Sequence, residues 1–250
     1  MPNAVQNTNQ APYNAVCLVG CTVNRADNNQ AMGTGWGSGS LLSSSVALTC
    51  GHNLLSQSGT PHYSSAIRVW NGYSSASAPT SGGVAAAHGL YFNSWHNGDR
   101  SWDIAVLRLT ANINVPNYFA PQSVQQEPDN NMRIAGYPSD HHYAQWEDQE
   151  IWNGVNIQEH VFAYQHATQP GSSGSPVYKA FVAHGSGQLQ IHQYGVHIGL
   201  PNQQQQEERV GVLLTPVTYA FVRFAATCVI PQSSPFLIRV TAQHIQQNRL

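Results

Sequence analysis

Charge is scarce in this chain of 250 residues: 10 Lys and Arg face 12 Asp and Glu, for a net charge of −2. There is thus no basic field for nucleic acid and no cationic face for an anionic membrane surface, so neither is expected as a partner. Apolar runs are short as well. None approaches the roughly 18 residues that a spanning helix needs. Residues 1–11 have neither a basic n-region nor an apolar h-region, so no secretory signal is expected, and a cytoplasmic protein is slightly favoured over a secreted mature form. Cysteine is sparse: Cys17, Cys21, Cys50 and Cys228 make no CxxC pair, so a structural zinc site has no anchor and no metal is expected. Cys17 and Cys21 would lie about 13 Å apart along one extended strand, too far to bridge, and reduced thiols are favoured.

What is present is a succession of short apolar stretches separated by turn residues, the pattern of an all-β chain. Strands are expected at 15–19, 41–49, 67–70, 104–109, 132–135, 144–152, 160–166, 176–183 and 188–198. Gly33 through Gly39 reads as a glycine-rich connection, Asn71 through Ala87 as a solvated loop, and Pro116 through Pro128 as a crossing between two halves. Thr215-Pro216 looks like an N-cap and first turn, and Val217, Ala220, Phe221 and Phe224 recur at helical spacing, which predicts a helix over 216–227 packed by that face. Beyond it, Phe236 through Ala242 is strand-like, either an added edge strand or a partner-binding tail.

The chemistry-bearing stretch is Thr168 through Pro176, a turn in which Ser173 follows Gly171-Ser172 and precedes Gly174. A serine between glycines suits acyl transfer, because a tightly bent backbone can present both Oγ and inward-pointing N–H groups to one carbonyl. Upstream, the strand Val46 through Thr49 runs into Cys50-Gly51-His52, and Asp103 opens the apolar run Ile104 through Leu109. A histidine base oriented by a carboxylate activates a serine hydroxyl at neutral pH, and the order is His52, Asp103, Ser173. Nine further histidines, His141 and His142 among them, are assigned no chemistry.

These motifs, with Pro12-Tyr13, Gly33 through Trp36, Ala135 through Pro138 and Gly195-Val196-His197, make the chain resemble trypsin-fold serine proteases of the glutamyl endopeptidase branch. The resemblance implies two six-stranded antiparallel β-barrels of chymotrypsin type, over 12–115 and 129–228, the second carrying the C-terminal helix. An extra strand-like tail over 229–250 has no counterpart.

By the same resemblance Ser173 is the nucleophile, His52 the base and Asp103 its orienting carboxylate, while the N–H groups of Gly171 and Ser173 form the oxyanion hole. Thr168 and His197 would bind the carboxylate of an acidic P1 residue, Glu before Asp. No cofactor is implied, the substrates are proteins or peptides, and the chain is expected to be a monomer. The competing readings are a catalytically silent protease-fold binding module and a protease of other P1 specificity. Two departures stand out. Many secreted relatives carry a disulfide cysteine directly after the catalytic histidine, where this chain has Asn53. The aspartate that pairs with a new N-terminus in trypsin-like zymogens is here Ser172, so that switch cannot operate, and whether residues 1–11 reach the pocket is left open.

Overall fold

The computed structural model describes residues 3–25, 30–56, 62–75, 77–125, 132–150, 152–156, 159–164, 169–199, 209–228 and 237–241. In chain order the strands of the first half are β1 (Asn3–Ala4), β2 (Val16–Arg25), β3 (Ala31–Ser43), β4 (Val46–Thr49), β5 (Leu55–Ser56), β6 (His62–Asn71), β7 (Val84–Phe92) and β8 (Ala105–Leu109), with the single-turn helix α1 (Asn93–His96) after β7. The second half holds β9 (Ala120–Pro121), β10 (Met132–Gly136), β11 (Trp146–Glu150), β12 (Trp152–Asn156), β13 (Val161–Tyr164), β14 (Pro176–Val182), β15 (Leu189–Gly199), β16 (Arg209–Leu213), helix α2 (Pro216–Thr227) and β17 (Leu237–Thr241).

Six strands close on themselves in the order β7-β8-β4-β3-β2-β6, the last pairing back to β7, while β5 and β17 extend the sheet at its margins. The second sheet runs β1-β11-β10-β14-β15-β16-β13-β12, with β9 alongside β15. Strands β11 and β12, consecutive in the chain, lie at opposite sides of this sheet, β12 at one edge and β11 next to β1 at the other. Mostly antiparallel strands, one closed barrel, a second curled sheet and one C-terminal helix make this the chymotrypsin-like two-barrel architecture.

Two expectations need correction. The 33–39 stretch is no connection but the middle of β3, whose glycines admit neighbours where a Cβ would not fit: at Gly35 it would lie 2.8 Å from Val23 Cγ2. The loop after Asn71 ends at 83, because 84–87 already belong to β7 and pair with β6 and β8.

Helix α2 has the predicted bounds but shows a different face. Thr218, Phe221, Val222 and Ala225 are buried, while Val217 and Phe224 are 51% and 40% exposed. A polar tether explains the roll. Thr218 donates to the carbonyl of Leu213 at 2.5 Å, which turns position 218 inward, and Thr215 pairs with His160 instead of capping the helix with its own side chain. The helix packs on strands of both sheets, against Leu48 and Val106 of the first and Val196 and Val212 of the second. Arg108 on β8 donates to the carbonyls of Ala225 and Ala226, which the helix itself leaves unpaired.

The strand-like tail is an edge strand, β17 lying antiparallel on β7 from Leu237 opposite Phe92 to Thr241 opposite His88. At the other end, Asn3 and Ala4 pair with Glu147 and Trp146 on β11, and Tyr13 donates to Glu147 at 3.1 Å. The described part of the N-terminal arm is thereby fastened to the edge of the second sheet. All four cysteines are free thiols.

Candidate active site

The apolar strand β4 delivers Cys50 and then a single 3-10 turn, Gly51–Asn53, that carries His52. Asp103 follows another 3-10 turn, Arg100–Trp102, just before β8, which is paired with β4. Adjacent strands in register therefore bring the two side chains together. Asp103 is 1% exposed, accepting from His52 Nδ1–H at 2.7 Å through Oδ2 and from the His52 backbone N–H at 2.8 Å through Oδ1. Both carboxylate oxygens are thus committed to one residue, which fixes the ring's orientation and leaves Nε2 as the site that exchanges a proton.

Burial alone would lower the imidazole pKa, but the Asp103 carboxylate outweighs it and the value is raised well above the usual one. Burial also pushes up the Cys50 thiol, which therefore stays neutral at ordinary pH and adds no charge. Cys50 Sγ lies 3.5 Å from His52 Nε2, a neighbour that sequence reasoning missed. Cys50, His52 and Asp103 are the one cluster of metal-ligating residues among the described residues, with ligand atoms within 4.8 Å of one another. Asp103, however, already spends both oxygens on His52.

Ser173 stands in the turn before β14, and its neighbours Gly171 and Gly174 have φ of +94° and +92°, a region costly for any residue with a Cβ. The N–H groups in this turn alternate. Ser172 N–H donates to the Gln169 carbonyl at 3.1 Å and Gly174 N–H to the His197 carbonyl at 2.8 Å. Among the described residues, the N–H groups of Gly171 and Ser173 have no acceptor. Two donors without acceptors in one turn are what a developing oxyanion would require.

The carbonyl groups of the turn face the first barrel. Ser173 C=O accepts from Ser38 N–H at 2.7 Å and from Asn53 Nδ2 at 3.0 Å, and Gly171 C=O accepts from the Ser38 hydroxyl at 2.8 Å. Neither Ser38 nor Asn53 was a candidate from sequence. Asn53 was conspicuous only as the position after His52 that lacks a cysteine.

His197 lies on β15, 1% exposed, with its backbone N–H on the Ser175 carbonyl at 2.9 Å, so it borders the turn that holds Ser173. Its Nδ1 is hydrogen-bonded to the hydroxyl of Tyr164, itself 1% exposed on β13. Thr168, the other expected P1-binding residue, lies outside the described residues.

The sequence model of the trypsin-like peptidase domain matches residues 37–180, more than half of the chain. The protein belongs to the trypsin-like peptidase domain family. Among solved structures it is similar to a Glu endopeptidase, at 23% identity and TM-score 0.67, covering 91% of this chain and 97% of that one. It is also similar to the protease Anisep from Arthrobacter nicotinovorans, at 17% identity and TM-score 0.63, covering 91% and 100%. A third is an inactivated protease paralogue of the scabies mite, at 16% identity and TM-score 0.59, covering 89% and 98%. No curated protein matches the chain in sequence. At these identities the structural likenesses carry the fold and no more, and with the family they support a peptidase.

Proposed function

We propose that the protein is a serine endopeptidase that cleaves through an acyl-enzyme and prefers Glu, then Asp, at P1. The observations that carry the catalytic part are His52 held by both oxygens of Asp103 and, hydrogen-bonded to the adjoining Asn53, a serine turn in which the N–H groups of Gly171 and Ser173 have no acceptor among the described residues. In this reading Ser173 Oγ attacks the scissile carbonyl and His52 Nε2 takes its proton. Asp103 stabilises the resulting imidazolium, and the oxyanion settles on the N–H groups of Gly171 and Ser173, a contribution of about 3–4 kcal/mol for a well-placed donor. His52 then returns the proton to the leaving amine, and water completes the cycle by the same route.

The preference for an acidic P1 residue rests on His197. If the Tyr164 hydroxyl donates to His197 Nδ1, the ring proton sits on Nε2, a donor suited to a carboxylate. A Gln side chain offers the same shape, but only one acceptor and no charge. Matched peptides with Glu or Gln at P1 test this, and Glu is expected to be cleaved at least 30-fold faster by kcat/KM, about 2 kcal/mol. Equal rates would remove the glutamyl preference and leave a serine protease of other specificity. A fluorophosphonate probe tests the catalytic part separately: failure to label Ser173 would favour a silent protease-fold module.

A further inference from the structure

We propose that Asn53 is a positioning residue for the nucleophile, its side-chain amide holding the carbonyl of Ser173 and so fixing the turn that presents Oγ and the two bare N–H groups. The proposal rests on the reading of Ser173 as the nucleophile, and it is independent of P1 preference.

Three observations carry it. The first is that both amide hydrogens of Asn53 are used. One goes to the Ser173 carbonyl at 3.0 Å, the other to Thr49 Oγ1 at 2.9 Å. Thr49 in turn donates to the Ser38 carbonyl at 2.7 Å, and Ser38 N–H donates to the same Ser173 carbonyl at 2.7 Å. The chain of donors closes on itself, so the amide can sit only one way: turned over, its oxygen would face a carbonyl oxygen and a hydroxyl whose proton is already given away.

The second observation is the space. A Cβ on Gly37 would lie 2.4 Å from Asn53 Nδ2, 2.6 Å from Oδ1 and 2.8 Å from Cγ. The amide therefore occupies a slot that exists because position 37 is glycine. The third is the strain that needs holding. Gly174 sits at φ +92°, where a Cβ would lie 2.0 Å from the Ser38 carbonyl oxygen, so the Ser173–Gly174 peptide is pressed against β3 in an orientation that the two donors secure. Because Asn53 directly follows His52, one side chain ties the base's turn to the nucleophile's turn across 120 residues of sequence.

The test uses the full-length protein and compares wild type with Asn53→Asp, which keeps size and shape but sets a carboxylate oxygen against the Ser173 carbonyl. Three quantities are read: the second-order rate of fluorophosphonate labelling, kcat and KM on one peptide substrate, and the thermal midpoint. The expected result is that labelling and kcat fall together by about 30-fold or more while KM changes by less than about threefold. A merely structural role would lower the midpoint and the active fraction but leave the labelling rate of the folded fraction unchanged. That outcome, or a labelling rate within about twofold of wild type, overturns the proposal.

If Asn53→Asp fails to fold, Asn53→Ala decides it, since it removes the amide without setting a charge against the Ser173 carbonyl. Its folded fraction should label several times more slowly than wild type. A labelling rate equal to wild type overturns the proposal. A wild type that never labels takes down the serine protease reading together with this one, whereas a reactive wild type with an equally reactive Asn53→Asp variant overturns this one alone.

Discussion

Replacing Asp103 by Asn isolates the orienting carboxylate, since the side chain keeps its volume in a site only 1% exposed. The His52 backbone N–H, 2.8 Å from Oδ1, is a fixed donor, so the amide oxygen of Asn must remain there. The amide NH₂ is then forced onto His52 Nδ1, which has to become an acceptor, and the ring proton moves to Nε2. That tautomer cannot take a proton from Ser173. A loss of about 10⁴ in kcat, near 5.5 kcal/mol, is the scale established for this change in a serine protease triad. The imidazole should respond too. With the carboxylate charge gone, the strongest effect opposing burial is lost and the His52 pKa falls. The assays are kcat on a peptide substrate and the pH titration of the His52 ring protons by NMR. A variant that keeps more than about 1% of wild-type kcat, or whose ring titrates at the wild-type midpoint, would refute the assignment of Asp103.

Ser173→Ala should abolish turnover with little change in thermal midpoint, since the hydroxyl adds little packing; residual turnover above about a thousandth of wild type would show that the nucleophile is elsewhere. For the free enzyme, kcat/KM should rise with pH through a single ionisation above about 6.5, the ordinary imidazole value, because only neutral His52 is a base. Stability should move the opposite way. A His pKa raised by folding contributes stability that is fully present below the unfolded value and lost as pH rises through the folded one. The midpoint of the inactive Ser173→Ala variant is therefore expected to decline across the ionisation that switches activity on, and Asp103→Asn should flatten that decline. Gly174→Ala should cost both stability and probe labelling, its Cβ meeting Ser38 O at 2.0 Å and Thr49 Oγ1 at 2.3 Å, and a wild-type labelling rate would contradict the φ of +92°. Tyr164→Phe removes the hydroxyl on His197 Nδ1 and should narrow the Glu-to-Gln rate ratio by about fivefold, roughly 1 kcal/mol, which matched-peptide kinetics would show.

The all-β character was legible because the strands are bounded by turn residues, and helix α2 because it opens on Thr-Pro and repeats its apolar residues at helical spacing, while the two-barrel arrangement was expected from the family resemblance alone. Periodicity failed where side chains are missing or tethered. In β3 the alternation is written in Gly, Thr, Trp and Ser, and a glycine contributes nothing to a hydrophobic pattern although it is what lets Asn53 and Val23 approach. In α2 the buried face is set by the hydrogen bond from Thr218, a polar residue that a count of apolar positions ignores. His52, Asp103 and Ser173 stood out because each sits in a local motif. Ser38, Asn53 and Tyr164 did not, since their partners lie 133, 120 and 33 residues away and nothing local marks so distant a hydrogen bond.

Those distant contacts bear on why the proposed oxyanion site would be ready before a substrate arrives. An N–H left without an acceptor costs about 1–3 kcal/mol when shielded from water, so an unrestrained Gly-Ser-Ser-Gly turn would rotate a peptide to pair it. The bare N–H groups lie on the Pro170–Gly171 and Ser172–Ser173 peptides, and turning either would break the hydrogen bond its own carbonyl accepts, from Ser139 N–H at 2.7 Å or from Ser175 N–H at 3.0 Å. The intervening peptides are held from the other barrel, Ser173–Gly174 by Ser38 N–H and Asn53 Nδ2 and Gly171–Ser172 by the Ser38 hydroxyl. The Ser38 hydroxyl is pinned in turn, accepting from Tyr137 N–H at 2.9 Å and fully buried. These five hydrogen bonds to the carbonyls of the turn, at about 1 kcal/mol each, are of the size needed to hold two unpaired donors in place. In the proposed mechanism the donors then meet the oxyanion without reorganising, and transition-state stabilisation requires them to be bare beforehand. Loosening the first barrel's hold on the Ser173 and Gly171 carbonyls should accordingly lower kcat more than it raises KM.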